Sequence, residues 1–159
     1  MKRWWIMAAV AAAAIGAWSA QAQADAKPQA TTPSTDAANP LITDKWQFRP
    51  LILVTPSAEA PAYRALREQL AQTDTQFRDR EMLLYTVENG EGTRHGKPMT
   101  PYETRALLDA LGVDAHQGVT LVLVGKDGGK KIEQHGIVDL QQVYDTIDRM
   151  PMRQAERNG

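Results

Sequence analysis

Residues 119–152, VTLVLVGKDGGKKIEQHGIVDLQQVYDTIDRMPM, decide the fold of this chain. Val119 to Val124 is an unbroken apolar run rich in β-branched residues, the pattern of a strand buried on both faces. Gly125-Lys126-Asp127-Gly128-Gly129 follows, and its Asp-Gly pair is a hairpin signal. Lys130 to His135 alternates polar residues around Ile132, as an edge strand does. Asp139 is placed to cap a helix whose Leu140, Val143, Tyr144, Ile147 and Met150 share one side. Pro151 is read as the end of that helix. The stretch is a strand, a glycine turn, a second strand and a closing helix.

The residues before it supply partners. Trp46-x-x-Arg49-Pro50 leads into Leu51-Ile52-Leu53-Val54-Thr55, another strand of the doubly buried kind, stopped by Pro56. Pro61 suits the first turn of a helix, and Tyr63, Leu66 and Leu70 carry its apolar face to about Gln72. Thr73 to Arg80 reads as a turn, Met82 to Val87 as a buried strand, and Glu88 to Met99 as a polar loop with three glycines. Thr100, Pro101 and Glu103 form a capping-box start for a helix through Leu107, Leu108 and Leu111, with Gly112 as a left-handed stop. The order β-α-β-α-β-β-α predicts an α/β domain with a four-stranded mixed sheet. Its first half is parallel and its second antiparallel, which is the thioredoxin-like arrangement.

The first 24 residues do not belong to this domain. Lys2 and Arg3 precede an uncharged apolar run from Trp4 to Trp18, and Ser19 to Ala24 offers two A-x-A cleavage sites. That is the three-part pattern of a signal peptide and predicts a periplasmic or secreted protein. No later run is long and apolar enough for a membrane span. Residues 25–44 are rich in Ala, Thr, Pro and Asp and read as a flexible linker; the domain is expected over 45–152, with 153–159 a polar tail. Loss of Lys2 and Arg3 leaves 16 basic against 19 acidic residues, a formal net charge of −3 that does not favour nucleic acid.

Several charged and glycine positions form a pattern. Gly125-Lys126-Asp127-Gly128-Gly129 and Asp148-x-Met150-Pro151-Met152-Arg153, with Trp46-x-x-Arg49-Pro50 and Arg80-Glu81 upstream, resemble the bacterial branch of the DUDES-type domains of unknown function. The resemblance covers about residues 45–153. It implies a thioredoxin-like fold outside the cytoplasm, related to domains of sushi-repeat and extracellular matrix proteins, and it carries no catalytic residue.

The chain contains no cysteine. Disulfide exchange and thiol peroxidation both begin with a thiolate, so thiol oxidoreductase activity is excluded. The position after the first strand, where a thioredoxin-type dithiol would stand, reads Thr55-Pro56-Ser57. Ser57 has no base marked for it in the sequence. Gly125 to Lys131 lacks the phosphate-loop spacing and lies between strands, so no nucleotide or other cofactor is expected. The metal candidates are His95, His116 and His135, each expected at the sheet end that carries Thr55, with Glu88 or Glu91 as a further ligand. Strands ~4.8 Å apart put the outer two histidines on the order of 15 Å apart.

These observations predict an exported binding or accessory module of the cell envelope that works through a protein partner. A metal- or ligand-dependent factor at the histidine-bearing end, and an accessory to a redox-stress pathway, are the alternatives.

Overall fold

The computed structural model describes residues 38–159. The expected signal peptide, 1–24, and the linker as far as residue 37 lie outside the described residues. A single six-stranded mixed sheet runs through the domain in the order β4-β3-β2-β1-β5-β6. Its strands are β1 (Arg49–Thr55), β2 (Met82–Glu88), β3 (Glu91–Arg94), β4 (Lys97–Pro98), β5 (Thr120–Val124) and β6 (Lys130–His135). Only β1 and β2 pair in parallel; every other pairing is antiparallel. Six helices accompany it among the described residues: α1 (Leu41–Asp44), α2 (Pro61–Gln72), α3 (Asp74–Asp79), α4 (Pro101–Leu111), α5 (Leu140–Asp148) and α6 (Pro151–Asn158).

The central strands are apolar throughout because helices cover both faces. Successive strand side chains point to opposite sides. Leu51, Leu53, Leu121 and Leu123 therefore face α2 and α5, packing with Tyr63, Leu66, Leu70, Val143 and Ile147. Ile52, Val54, Val122 and Val124 face α4, packing with Leu107 and Leu111. Every residue of β1 and of β5 is buried. Helix α4 begins with the capping box, in which Thr100 and Glu103 satisfy each other's amides, and ends at Gly112 with φ +64°. Asp139 caps α5 by accepting from the Gln141 amide at 2.9 Å.

The sheet has six strands rather than four. Glu88 to Met99, expected as a loop, folds into two tight hairpins. Asn89 and Gly90 both have positive φ, 51° and 81°, the conformation of a two-residue turn that matches strand twist. His95 and Gly96 repeat it at 49° and 74°. Thr86 and Thr93 hold the register through hydroxyls 2.8 Å apart. The expected turn at Thr73–Arg80 contains α3. The expected linker ends in α1, whose Leu41 and Asp44 are buried on the sheet. Asp44 accepts from the Tyr85 hydroxyl and pairs with Arg94, which anchors the helix.

The last difference is at the C-terminus. Pro151 does not merely end a helix; it opens α6, where its missing N–H costs nothing and its fixed φ suits the first turn. The expected polar tail, 153–159, lies in that helix up to Asn158, with Arg153 buried.

Candidate functional site

Two ends of the sheet were candidates. At the C-terminal end of β1 the loop closes on itself: Thr55 Oγ1 donates to the Ser57 carbonyl at 2.8 Å and accepts from the Ser57 amide at 3.2 Å. Ser57 Oγ accepts from the Glu59 amide at 3.2 Å. The hydroxyl is thus held as a turn acceptor with no base beside it among its hydrogen-bond partners. Tyr63 donates to Glu88 nearby, and burial, with that carboxylate, pushes the phenol well above its ordinary range.

The three histidines do not assemble. His135 lies opposite Thr120 at this end, its Nδ1 3.0 Å from Thr120 Oγ1, and Nε2 lies 3.4 Å from Glu133. His116 sits in the loop before β5, its amide donating to Asp114 Oδ1. His95 goes the other way. The β2–β3 hairpin carries it back along the sheet until its amide bonds the Leu84 carbonyl at 2.8 Å. Among the described residues, no group of three or more His, Cys, Asp or Glu side chains is placed to hold a metal ion. The expectation of a shared histidine rim assumed a simple loop after β2, and the hairpin removes its premise.

The opposite end gathers the motif residues. Strand β1 starts there with Arg49, β2 with Arg80 and Glu81 just before it, and the antiparallel β5 ends there at Val124, two residues before Lys126. Arg49, 1 % exposed, donates from Nη1 to the Arg80 carbonyl at 2.9 Å and from Nη2 to Glu156 Oε1 at 2.9 Å. Lys126 Nζ reaches the same Glu156 oxygen at 2.7 Å and pairs with Glu81. Arg80 grips Asp148 with both Nε (3.0 Å) and Nη2 (2.6 Å), and its guanidinium stacks 4.8 Å from the Tyr144 ring. Arg153 binds the Asp79 carbonyl at 2.9 Å and the Asp79 carboxylate, and its Nε lies 3.5 Å from Asp148. Residues up to 107 positions apart thus form one ionic network.

Its electrostatics are those of buried cations paired with partly exposed carboxylates. Burial alone would raise the Glu156 pKa, but Arg49 and Lys126 outweigh it and hold the carboxyl below its ordinary range. Asp148 behaves alike, with Arg80 and Arg153 overcoming burial. Lys126 is the mirror case: burial pulls its pKa down, and Glu156 and Glu81 together carry it above the ordinary lysine value.

A cavity of about 90 Å³ opens beside the network. Arg49, Lys126, Lys131 and Asp127 supply its polar lining, and Met150, Pro151 and Met152 its apolar wall. Gly125 approaches closely here, since a Cβ on it would stand 2.5 Å from Lys131 Cε. The glycine turn also fixes Trp46, whose amide donates to the Lys126 carbonyl at 2.7 Å. Trp46 has φ +69° and is 60 % exposed. A bulky residue in the left-handed region is uncommon and strained, and such strain persists only where neighbours over-determine it.

Sequence reasoning singled out Trp46, Arg49, Arg80, Gly125, Lys126, Asp127, Gly128, Asp148, Met150, Pro151, Met152 and Arg153, and the structure places all of them at or beside this rim. It missed Glu156, Asp79 and Lys131. The available signal for Glu156 was the i,i+3 spacing from Arg153 after a proline suited to a first turn.

The fold and this rim define a mixed α/β domain without thiols, whose charged chemistry is concentrated at the start of its parallel strands. The chain belongs to the family described as Domain of unknown function (DUF4174), which matches residues 40–156. Comparison with curated proteins and with solved structures finds no match. No helix among the described residues is long and apolar enough to cross a membrane.

Proposed function

We propose that this protein is an exported, thioredoxin-like binding module of the cell envelope that docks a protein partner on the rim around Lys126. The single observation carrying the reading is convergence: motif residues from well-separated segments line or brace one pocket, while the loop after β1 offers no nucleophile with a base. The core order β2-β1-β5-β6, with β1 parallel to β2 and antiparallel to β5, supports the thioredoxin-like description. On that reading β3, β4 and α6 are additions. The leader pattern in residues 1–24 supports export to the periplasm or beyond. Exposed Trp46, beside the pocket and held by a strained backbone, is the anchor the partner would meet.

The test is crosslinking in the native envelope, with partners identified by mass spectrometry, for the wild type and for Trp46→Ala and Met152→Asp. One stoichiometric partner, lost in both variants while their folds persist, is the expected result. Capture indifferent to both substitutions, or no partner at all, overturns the reading.

A further inference from the structure

Strand β2 is paired unevenly. On one side β1 accompanies it along its whole length, from Arg49 opposite Met82 to Thr55 opposite Glu88. On the other side β3 pairs only with Tyr85 to Glu88. The last bond on that side runs from the His95 amide to the Leu84 carbonyl at 2.8 Å. The Glu81 carbonyl accepts from the Arg49 amide at 2.9 Å, so residue 81 faces β1. Alternation then turns the N–H and C=O of Met82 toward the side that β3 has left. Among the described residues no strand pairs with Met82 there.

Native sheets blunt a free edge with charge or proline. β6 does so with Lys130, Lys131 and Glu133, and β4 with Lys97 and Pro98. The open stretch of β2 instead reads Met82-Leu83-Leu84.

A cavity flanks this edge on each face of the sheet. Leu70, Phe77 and Leu84 belong to the α2 side and line one of about 460 Å³. Phe48 and Leu83 belong to the α4 side and line the other, of about 410 Å³. Met82 and His95, at the edge between them, line both. An added strand sends successive side chains to opposite faces, which is the placement these cavities offer. A lipid chain or a small apolar acid fills one face only.

Charge narrows the choice further. Asp74 is held by Arg78, Glu81 by Lys126, and Arg94 by Asp44. Arg67 at the first cavity and Lys97 at the second are exposed and form no ion pair among the described residues. The unmatched charge is therefore positive at both cavities and complements acidic residues.

We infer that the open edge of β2 accepts an extended segment of a partner protein as an added strand, its consecutive apolar residues seated in the two cavities and its acidic residues flanking them. Neither cavity shares a lining residue with the pocket at Lys126, so this surface is separate from the rim proposed above and stands or falls independently of it.

The probe is the acetylated, amidated peptide Glu-Val-Ile-Val-Glu, titrated into the full chain expressed with its own leader and purified as the cell processes it. The readout is the amide resonances of Met82 and Leu84, and saturable shifts are expected at both. Methylating the central isoleucine nitrogen, or instead both valine nitrogens, removes donors from opposite edges of the peptide strand. One of the two patterns should weaken binding by roughly tenfold and the other leave it unchanged. Lysines in place of the peptide's glutamates, or Arg67→Gln or Lys97→Gln in the protein, should each weaken it by roughly threefold. Arg67 and Lys97 are exposed, so these variants keep their fold. Absence of shifts at Met82 and Leu84 overturns the inference. Equal tolerance of both methylation patterns, which is apolar contact without strand addition, overturns it too, as does equal binding of the lysine peptide. Shifts that follow protein concentration without peptide assign the edge to a second copy of the chain and also overturn it.

Discussion

Replacing Glu156 by glutamine tests the ionic network at its most connected point. One oxygen of Glu156 accepts from Arg49 Nη2 at 2.9 Å and from Lys126 Nζ at 2.7 Å, and the side chain is 26 % exposed. Glutamine keeps the shape and the acceptor but removes the charge. A hydrogen bond between charged groups contributes ~1.5–3 kcal/mol and a neutral acceptor ~0.5–1.5, so each bond loses roughly 1 kcal/mol. Two bonds give a loss of about 2 kcal/mol. The larger figure of ~3–5 kcal/mol for orphaning a buried charge does not apply, because Lys126 keeps Glu81 and Arg49 keeps the Arg80 carbonyl.

The same variant has a pH signature. The folded pKa of Glu156 is lowered, because Arg49 and Lys126 overcome the opposing effect of burial. Its contribution is therefore present above the unfolded value, ~4.3 for a glutamate, and disappears as pH falls through the lower folded value. A glutamine at this position does not titrate. Urea denaturation at pH 7 should show the full gap between wild type and Glu156→Gln at unchanged slope, and the gap should close as the pH is taken down toward 3. A gap under ~0.5 kcal/mol at pH 7, or one of equal size in acid, refutes the assignment of Glu156 as the charged hub.

Three further substitutions probe different physics. Gly92→Ala puts a Cβ 2.5 Å from Met99 Cε and against the Thr104 side chain, so overpacking of about 1–3 kcal/mol should appear in a urea melt. Gly128→Ala meets only the Lys45 side chain at 3.6 Å, so there is room; its φ of +81° should instead cost ~1–2 kcal/mol in backbone strain, with no repacking in a crystal structure of the variant. Asp44→Ala leaves the Tyr85 hydroxyl and Arg94 without their buried acceptor and should lower stability by roughly 3 kcal/mol, with faster hydrogen exchange in α1.

Much of the core was legible because it is written in local patterns. The apolar runs beginning at Leu51, Met82 and Val119 became β1, β2 and β5, and Thr100, Glu103 and Gly112 became caps as their side chains and φ require. Glu91-Gly92-Thr93-Arg94 has no apolar period, so β3 was invisible to hydrophobic patterning. The Asn89-Gly90 pair was the sign of it, since that dipeptide favours the left-handed turn observed. Misreading that turn also misplaced His95. Helix α6 was hidden for another reason. Arg153 is its only buried residue, and what holds it is ion pairing with Asp79, Asp148, Arg49 and Lys126, partners mostly far away in sequence. The motif residues were found as a group, but nothing local tells that Arg49 and Glu156 meet.

That mode of attachment has a consequence for the rim. Open α/β sheets commonly bind ligands beyond the carboxyl ends of their parallel strands. Here the Thr55–Ser57 turn at that end is bonded to itself, and the pocket that the motif residues line lies at the other end, where β5 delivers the glycine turn. Helix α6 supplies the pocket's outer wall and, through Glu156, neutralises two of its cations. Wall and network are therefore one assembly: a change that loosens α6 exposes Arg49 and Lys126 and dissolves the cavity together. Apolar packing contributes little to α6, so its hold depends on partly buried charge pairs, which salt screens less than fully exposed ones. Raised ionic strength should accordingly release the helix only weakly. Acid that protonates Glu156 and Asp148 acts on the pairs directly, loosening the helix while the lysines stay charged.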